Sequence, residues 1–394
     1  MKISTDKNKI QELLTRGVEE VIKKENLEKL LLSGKKLNIK LGIDPTGSDL
    51  HIGHAIPLRK LKQFQELGHN AILLIGDYTA TIGDPTGRNE TRPMLSREDI
   101  KKNMKTYLEQ ASKVLDLDKI QIRYNNEWYK DKKADFMMEL TGKITVARVI
   151  DRDDFKKRLK EGQDIQMQEI LYPLLQGYDS VMLEANVEIG GTDQKFNLLM
   201  GRKLQKRYDQ AEQDIITLPI LEGTDGIKKM SKTYGNYIGL LDSPEDMYGK
   251  TMSIPDELII KYFELATEVS LDKIEEYKKE LKNGVNPRDV KAVLAYEIAK
   301  LYHGEKGAEK GQENFRKVAQ SKDKPEEILE LSPTKNDIIT TLVEAGFVKS
   351  TTEARQNVKG GGVKINDKKV ENHTEEVKAG DIVQKGKRFF VKIK

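Results

Sequence analysis

The chain has 394 residues, of which 34% are charged and 37% hydrophobic, with a net charge of +4 and no cysteine. This length allows two or three domains with their own cores, and the composition excludes disulfides and thiolate metal sites. The sequence has neither an apolar run long enough to span a membrane nor the apolar core of a signal peptide. A cytoplasmic protein with no membrane partner is therefore expected.

The positive charge is concentrated at the C-terminal end. Residues 332–394 carry thirteen Lys and Arg against eight Asp and Glu, a net +5, so the other residues together carry about −1. A basic region of this kind is typical of proteins that bind a polyanion, and it predicts such a partner for the last part of the chain.

The first predicted elements are a helix, a strand and a turn. Apolar residues recur at helical spacing through residues 1–35, which predicts helix there. An apolar strand at 37–43 then leads through a Pro-Gly turn into a helix that begins at His51. A helix N-terminus after such a turn is an anion site, and His51 and His54 share one side of its first turn. The pattern predicts that this turn holds the phosphates of a nucleotide.

The run at 71–76 is apolar throughout, as in a strand buried on both faces of a parallel sheet. Strand, helix and strand within fifty residues form a βαβ unit. The predicted fold class is therefore α/β, with a Rossmann-type, doubly wound parallel sheet. The polar loop after residue 76 would leave the carboxyl edge of this sheet, where ligands of such folds bind.

The remaining elements follow in chain order. The patterns predict helix at 97–116, strand at 119–124, helix around 169–179, strand and diglycine turn at 187–194 with helix to about 206, strand at 215–221, a glycine-flanked loop at 222–235, helices over 245–330, and two helices followed by short strands over 335–394.

Two motifs carry a family resemblance. Asp49-Leu-His51-Ile-Gly-His54 together with Lys229-Met-Ser-Lys-Thr233 resembles the paired HIGH and KMSKS signatures of class I aminoacyl-tRNA synthetases. Four further stretches are similar to those of bacterial tyrosyl-tRNA synthetases: residues 42–46, 82–88, 172–179 and 190–194. The C-terminal segment resembles the small RNA-binding domain that those enzymes carry.

The resemblance implies a tyrosine–tRNA ligase that uses ATP with Mg²⁺, binds tRNA(Tyr) and tyrosine, and forms a homodimer. No dedicated protein site for the metal is expected. The implied domains are a catalytic domain at 1–221 with an insertion at about 93–185 that holds the probable dimer interface, a KMSKS loop and linker at 222–245, an α-helical anticodon-binding region at 246–331, and an α+β RNA-binding domain at 332–394.

The resemblance also implies roles for individual residues. The catalytic set is His51, His54, Lys229, Lys232 and Thr233. The ATP set is Gly42, Asp44, Thr46, His51, Gly53, His54, Gly191, Asp193, Lys229, Met230, Ser231 and Lys232. The tyrosine set is Thr79, Asp84, Tyr172, Gln176, Asp179 and Gln194, in which Asp179 would accept the phenol hydroxyl. Arg88 and Arg92 would lie near the pyrophosphate or the tRNA end.

The chemistry agrees with these roles. In amino-acid activation the carboxylate attacks the α-phosphorus of ATP, so positioning and cationic donors supply the rate and no protein nucleophile is needed. The histidines would donate to the phosphates, and the loop lysines would close over the departing pyrophosphate. A zinc pair is a poor alternative for His51 and His54, because it needs i, i+4 spacing and an interposed Glu.

Lys40 departs from the family pattern, since many tyrosyl enzymes have tyrosine two residues before the glycine that is Gly42 here. Either Lys40 points away and another group replaces that contact, or recognition of the substrate hydroxyl rests more heavily on Asp179. Three alternatives to the tyrosine enzyme stay open from the residues: a tryptophan–tRNA ligase, an adenylyltransferase that uses no tRNA, and an inactive RNA-binding relative.

Overall fold

The computed structural model describes residues 2–47, 49–86, 95–320, 328–386 and 389–394. Arg88 and Arg92, predicted near the pyrophosphate, lie outside the described residues. The chain divides into two compact units, residues 1–313 and 314–394. No helix of the described ranges is long and apolar enough to cross a membrane.

The first unit is built on one sheet. Its strands are β1 (Glu20–Ile22), β2 (Asn38–Ile43), β3 (Asn70–Ile75), β4 (Gln121–Tyr124), β5 (Val187–Gly191) and β6 (Asp214–Leu218), in the order β1-β6-β5-β2-β3-β4. All neighbours are parallel except β1 and β6. The predicted Rossmann-like α/β core is confirmed.

Helices surround this sheet. They are α1 (Lys7–Thr15), α2 (Lys24–Leu32), α3 (Ile52–Glu66), α4 (Arg97–Ala111), α5 (Asn126–Tyr129), α6 (Ala134–Gly142), α7 (Val146–Ile150), α8 (Asp153–Lys160), α9 (Met167–Met182), α10 (Lys195–Arg207), α11 (Pro244–Met252), α12 (Ile259–Ala266), α13 (Leu271–Lys282) and α14 (Pro287–Gln320), the last interrupted at Gly304. Side chains of β3 alternate between two cores. Leu73 packs with α3, and Ile72 and Leu74 pack with α6 and α9.

The prediction of helix throughout residues 1–35 is wrong in its middle. Gly17 has a positive φ of 57°, which a helix does not accommodate, and β1 follows it. Val21 of β1 lies opposite Ile216 of β6 in an antiparallel ladder. The β-branched residues that continue the helical spacing are equally suited to a strand, and the free edge of the sheet decides between the two.

The second unit contains a small sheet and two helices, as the α+β prediction requires. Its elements are β7 (Leu329–Leu331), α15 (Ile338–Glu344), α16 (Thr351–Lys359), β8 (Val363–Ile365), β9 (Lys368–Lys369), β10 (Ile382–Lys385) and β11 (Phe389–Ile393). The strand order is β7-β11-β10-β8-β9. The prediction of helix up to residue 330 is wrong for β7, because this segment pairs in parallel with β11.

Candidate active site

A cavity of about 600 Å³ opens at the carboxyl ends of β2, β3 and β5. All of the residues predicted for ATP and for tyrosine line it. From the ATP set they are Gly42, Asp44, Thr46, His51, Gly53, His54, Gly191, Asp193, Lys229, Met230, Ser231 and Lys232, joined by Thr233; from the tyrosine set they are Thr79, Asp84, Tyr172, Gln176, Asp179 and Gln194. Gly42 and Thr233, which are 191 residues apart in sequence, therefore line the same cavity.

The histidine turn is fixed to the chain that follows the lysine loop. The backbone N–H of Ile52 donates to the carbonyl of Ile238 at 3.0 Å, so the helix begins against that segment. The rings of His51 and His54 stack with their centroids 3.7 Å apart. A side chain at Gly53 would press on the His51 ring, since a Cβ there would lie 3.0 Å from Nδ1. Glycine therefore keeps this face of the turn open.

Both histidines are neutral at ordinary pH. Burial lowers the pKa of His51 to about 2, with a further contribution from His54, and it lowers the pKa of His54 to about 4. The nearby cations of Lys229 and Lys232 act in the same direction. Each ring is therefore able to donate one N–H to an anion without carrying charge itself.

Asp44 connects the two predicted substrate sets. Asp44 belongs to the predicted ATP set. Its carboxylate nevertheless accepts from Thr79 Oγ1 at 2.7 Å and from the hydroxyl of Tyr172 at 2.8 Å. Both of those residues belong to the tyrosine set. Burial raises the pKa of Asp44 to about 7, opposed by the two hydroxyl donors and assisted by the charges of Asp84 and Asp179.

This raised pKa makes a stability prediction. Because folded Asp44 binds its proton more tightly than unfolded Asp44, the protein loses stability as the pH rises from the unfolded pKa of 3.8 to about 7. Asp44→Asn removes that loss, so its free energy of unfolding at about pH 8 should exceed that of the wild type by roughly 2–4 kcal/mol. Urea unfolding at several pH values measures this gain, which should shrink towards about pH 5.

The matched control is Asp153→Asn, the same chemical change at an exposed position in α8. Its stability should stay near that of the wild type across the same pH range. An Asp44→Asn protein that is less stable than the wild type at high pH would show that the two hydroxyl donations outweigh the cost of burying the carboxylate.

Asp179 lies on α9 and receives two hydrogen bonds at the far end of the cavity. Trp128 Nε1 donates to its Oδ1 at 3.0 Å, and Asn125 Nδ2 approaches its Oδ2 at 3.3 Å. Burial raises its pKa to about 6, and the charge of Lys40 opposes the rise most strongly. The carboxylate is thus an oriented acceptor that has capacity for one more donor.

Sequence reasoning missed Asn125 and Trp128. Asn125 is completely buried, and besides reaching Asp179 it donates to Thr79 Oγ1 at 2.9 Å. Trp128 is the single tryptophan of the chain, in a polar segment directly after β4. The sequence did contain one signal for Trp128. It is a lone aromatic residue with one hydrogen-bond donor, and it follows a strand at the carboxyl edge of a parallel sheet.

A second carboxylate lies nearer the diglycine turn. Asp84 Oδ2 accepts from Gln194 Nε2 at 2.6 Å, and its Oδ1 accepts from the backbone N–H and the hydroxyl of Thr86. The side-chain oxygen of Gln176 is buried and has no hydrogen-bond partner. Because Gln176 also lines the cavity, this oxygen is available to accept from a ligand.

The lysine loop approaches the histidine turn. The ammonium of Lys232 pairs with Asp49, which precedes that turn, and Lys229 Nζ lies 4.0 Å from Asp193 Oδ2. The side chain of Asn236 holds the loop by accepting from the N–H of Ser231 at 2.8 Å. Both cations therefore line the cavity beside different carboxylates, and both are partly exposed to solvent.

Comparisons with known proteins give one answer. The family model described as tRNA synthetases class I (W and Y) matches residues 32–320, and one described as a tyrosine–tRNA ligase C-terminal domain matches residues 317–392. The tyrosine–tRNA ligase of Thermotoga maritima is 52% identical over 386 residues, covering 97% of this chain and 96% of its own. That of Dehalococcoides mccartyi is 48% identical and covers 98% of both chains.

A solved structure agrees with the fold. The truncated mitochondrial tyrosyl-tRNA synthetase of Coccidioides posadasii superposes with a TM-score of 0.65 at 26% identity, covering 78% of this chain and 92% of its own. The match of sequence motifs, of both family models and of nearly full-length relatives leads to one conclusion. The chain belongs to the class I tRNA synthetases for tryptophan and tyrosine, and among them to the tyrosine–tRNA ligases.

Proposed function

We propose that the cavity binds ATP and tyrosine side by side and joins them as tyrosyl-adenylate. A tyrosine carboxylate oxygen forms a bond to the α-phosphorus, and the bond from that phosphorus to pyrophosphate breaks. The terminal ribose hydroxyl of tRNA(Tyr) then attacks the tyrosyl carbonyl and releases AMP. The observation that carries this proposal is the single cavity lined by the histidine turn, the lysine loop and the acceptors of α9.

The ATP half rests on neutral donors and on partly exposed cations. His51 and His54 offer N–H groups at the positive end of α3, and Lys229 and Lys232 line the same cavity. Phosphoryl transfer needs this kind of positioning and electrostatic stabilisation more than a covalent partner. Asp193, at the diglycine turn, is the proposed partner of the ribose.

The tyrosine half rests on two carboxylates at opposite ends of a slot. Asp84, with Tyr172 and Gln176, is the proposed site for the α-ammonium, and Asp179 is the proposed acceptor for the phenol hydroxyl. A buried carboxylate that loses its partner when phenylalanine binds discriminates strongly without an editing step.

Mg²⁺ enters the proposal bound to ATP. Among the described residues, no cluster of three or more His, Cys, Asp or Glu side chains is suited to a metal ion. In the proposal the phosphates carry the ion into the site, and the lysine loop meets the partly neutralised triphosphate.

Amino-acid-dependent pyrophosphate exchange tests the proposed activity. Exchange should depend on tyrosine and not on tryptophan, and the product should then charge tRNA(Tyr). Exchange with tryptophan alone would support a tryptophan enzyme. Tyrosine exchange without charging of any tRNA would support an adenylyltransferase, and no exchange with either amino acid would support an inactive RNA-binding relative.

The C-terminal unit is the proposed tRNA-binding part, together with the helices over 246–331. Lys364 of β8 lies opposite Lys369 of β9, and both side chains are exposed. Neighbouring lysines that have no acidic partner in the strand register present a concentrated positive charge. Such a surface suits the phosphates of RNA.

Replacing both of these lysines gives a salt-dependent effect. Lys364→Gln with Lys369→Gln should weaken tRNA binding roughly tenfold at low salt and should reduce the slope of log affinity against log salt by about one for each lost phosphate contact. Filter binding over a salt series measures it. Replacing Lys24 and Lys29, two exposed lysines of α2, is the control and should change neither quantity; an equal loss there would contradict a specific C-terminal contact.

A homodimer through the insertion is also proposed, and exposed apolar side chains support it. Met138, Val146, Leu159 and Met167 are 52–74% exposed on consecutive helices of that segment. Apolar side chains grouped in this way favour burial against a second copy. We also propose that the enzyme acts in the cytoplasm, because bacteria, the source of its relatives, charge their tRNA there.

The dimer proposal predicts a change of mass in solution. Met138→Glu with Val146→Glu should convert the dimer into monomers in analytical ultracentrifugation, because the charges would be buried without partners. Ile227→Glu is the matched control, since Ile227 is 85% exposed and lies outside the insertion. A double variant that sediments as the wild type does would contradict this interface.

A further inference from the structure

Lys40 is a charged side chain in a fully buried place. It lies on β2 directly opposite Glu188 on β5, and its Nζ is 2.7 Å from Glu188 Oε1. The side chains are 0% and 2% exposed. An ion pair in such a position rarely stabilises a protein more than apolar side chains of the same size would. Its presence beside the substrate cavity therefore calls for a functional reason.

All three protons of the Lys40 ammonium are used. Besides Glu188, they reach Ser180 Oγ at 2.8 Å and the carbonyl oxygen of Gln176 at 3.0 Å. An ammonium has only three donors, so none is left for a substrate hydroxyl. Lys40 thus does not take over the contact that a tyrosine makes at this position in many relatives.

The two helical partners of Lys40 lie on either side of Asp179 in α9. Gln176 lies three residues before Asp179 and Ser180 directly follows it, and the ammonium binds the backbone carbonyl of the first and the hydroxyl of the second. Two of the ammonium's hydrogen bonds therefore fix the helical turn that carries the proposed hydroxyl acceptor. The Lys40 cation is also the strongest influence that opposes the raised pKa of the Asp179 carboxyl.

Glu188 has hydrogen-bond donors besides Lys40. Its second oxygen accepts from Ser180 Oγ at 3.1 Å and from the side-chain amide of Gln213. Both charged groups of the pair therefore have several hydrogen-bond partners, and the cation is held at one place beneath α9. A buried ion pair held in this way specifies geometry more than it adds stability.

We propose that Lys40 is a positioning residue for tyrosine: by binding Gln176 and Ser180 it holds the turn of α9 that aims the Asp179 carboxylate at the substrate hydroxyl, it places a cation beneath that turn, and it does not touch the substrate. This inference rests on the proposed function, in which Asp179 accepts that hydroxyl. Of the two explanations for a lysine at position 40, it favours the one in which recognition of the substrate hydroxyl rests more heavily on Asp179. The titratable or charged groups that act on Asp179 or face it are Lys40 on β2, Asp44 after β2, Tyr129 in α5, Tyr172 in α9 and, behind Lys40, Glu188 on β5.

The test uses the pH dependence of tyrosine binding to the full chain. Trp128 donates to Asp179 and is the only tryptophan, so its fluorescence reports binding directly. In the wild type, the dissociation constant for tyrosine should rise as the pH falls through about 6, where Asp179 takes up a proton. In Lys40→Met with Glu188→Gln, the cation is gone and the midpoint should move upward by about one unit or more.

The size of the effect follows from the shift. At pH values below both midpoints, each unit by which the variant's midpoint is raised increases its dissociation constant for tyrosine about tenfold relative to the wild type. Raising the pH to about 8 should restore most of the variant's affinity. The KM for ATP should not change. If Lys40 had only a structural role, its replacement would weaken tyrosine binding equally at every pH, and raising the pH would not restore the affinity.

A second variant keeps the test decisive if the first does not fold. The swap Lys40→Glu with Glu188→Lys retains an ion pair in the same strand register but places an anion on the side of Asp179, so its midpoint should rise further. Ser180→Ala is the matched control, because it removes one bond to α9 while the cation remains, and its midpoint should stay at the wild-type value.

The outcomes separate the two proposals. Midpoints at the wild-type value in both Lys40 variants, with tyrosine exchange intact, would overturn the positioning role and leave the proposed function standing. Absence of tyrosine-dependent exchange and of tyrosine binding in the wild type would overturn both. An upward shift with an unchanged KM for ATP would establish the role.

Discussion

Replacing Lys232 by alanine should slow adenylate formation by about 2–4 kcal/mol of transition-state stabilisation while leaving tyrosine binding intact. In the structure the Lys232 ammonium pairs with Asp49 beside the histidine turn and is one-third exposed. An ammonium that is free to leave such a partner can follow the charge that develops on departing pyrophosphate. Because that charge appears in the transition state, the loss should fall on the rate and not on ground-state binding. Single-turnover measurement of adenylate formation gives both quantities.

Lys228→Ala is the matched control for this prediction. Lys228 belongs to the same loop, but its ammonium lies 4.7 Å from the centre of the Tyr234 ring, away from the turn. Its removal should change the rate little. A near-normal rate in Lys232→Ala, or an equal loss in both variants, would refute a specific contact between Lys232 and the leaving group.

Asp179→Asn should reduce kcat/KM for tyrosine by about 10²–10³-fold and reduce exchange with phenylalanine far less. The carboxylate accepts from Trp128 and from Asn125, and the proposed substrate hydroxyl is a third donor. An amide offers one oxygen in place of two and turns its own N–H groups towards these donors. Its cost therefore includes both the lost acceptor and the new donor–donor contacts.

Pyrophosphate exchange with both amino acids measures the change in preference. The Asp153→Asn control, at an exposed site, should keep the wild-type ratio of tyrosine to phenylalanine. If Asp179→Asn retained that ratio, another group would have to recognise the hydroxyl, and the inference about Lys40 would fall with it.

Periodicity and motif spacing determined much of the fold in advance. The apolar runs of β2 and β3 and the helix that begins at His51 are confirmed, because a strand buried on both faces and an amphipathic helix have patterns that depend on few neighbours. Residues 18–22 misled the same reasoning. Their spacing allows helix or strand, and only pairing with β6, about 195 residues later, selects the strand.

The candidate site divides in the same way. The sequence by itself determined the family and the two motifs and predicted the site residues on α9, because these are short segments whose chemistry is visible in their order. Asn125, Trp128 and Asp49 came only from the tertiary structure, since their importance lies in the partners that folding brings to them. No local pattern distinguishes a buried asparagine that supports a carboxylate from one that ends a strand.

Lys40 shows the limit most clearly. From the sequence, a lysine in an apolar strand was an anomaly with two explanations. Only the parallel register that sets Glu188 beside it, and the packing of α9 above both, accounts for all three of its protons. The sequence determined which residue types were present for nucleotide and amino-acid chemistry. The tertiary structure decided which charges are buried together, because burial and hydrogen-bond partners depend on distances that the chain order does not contain.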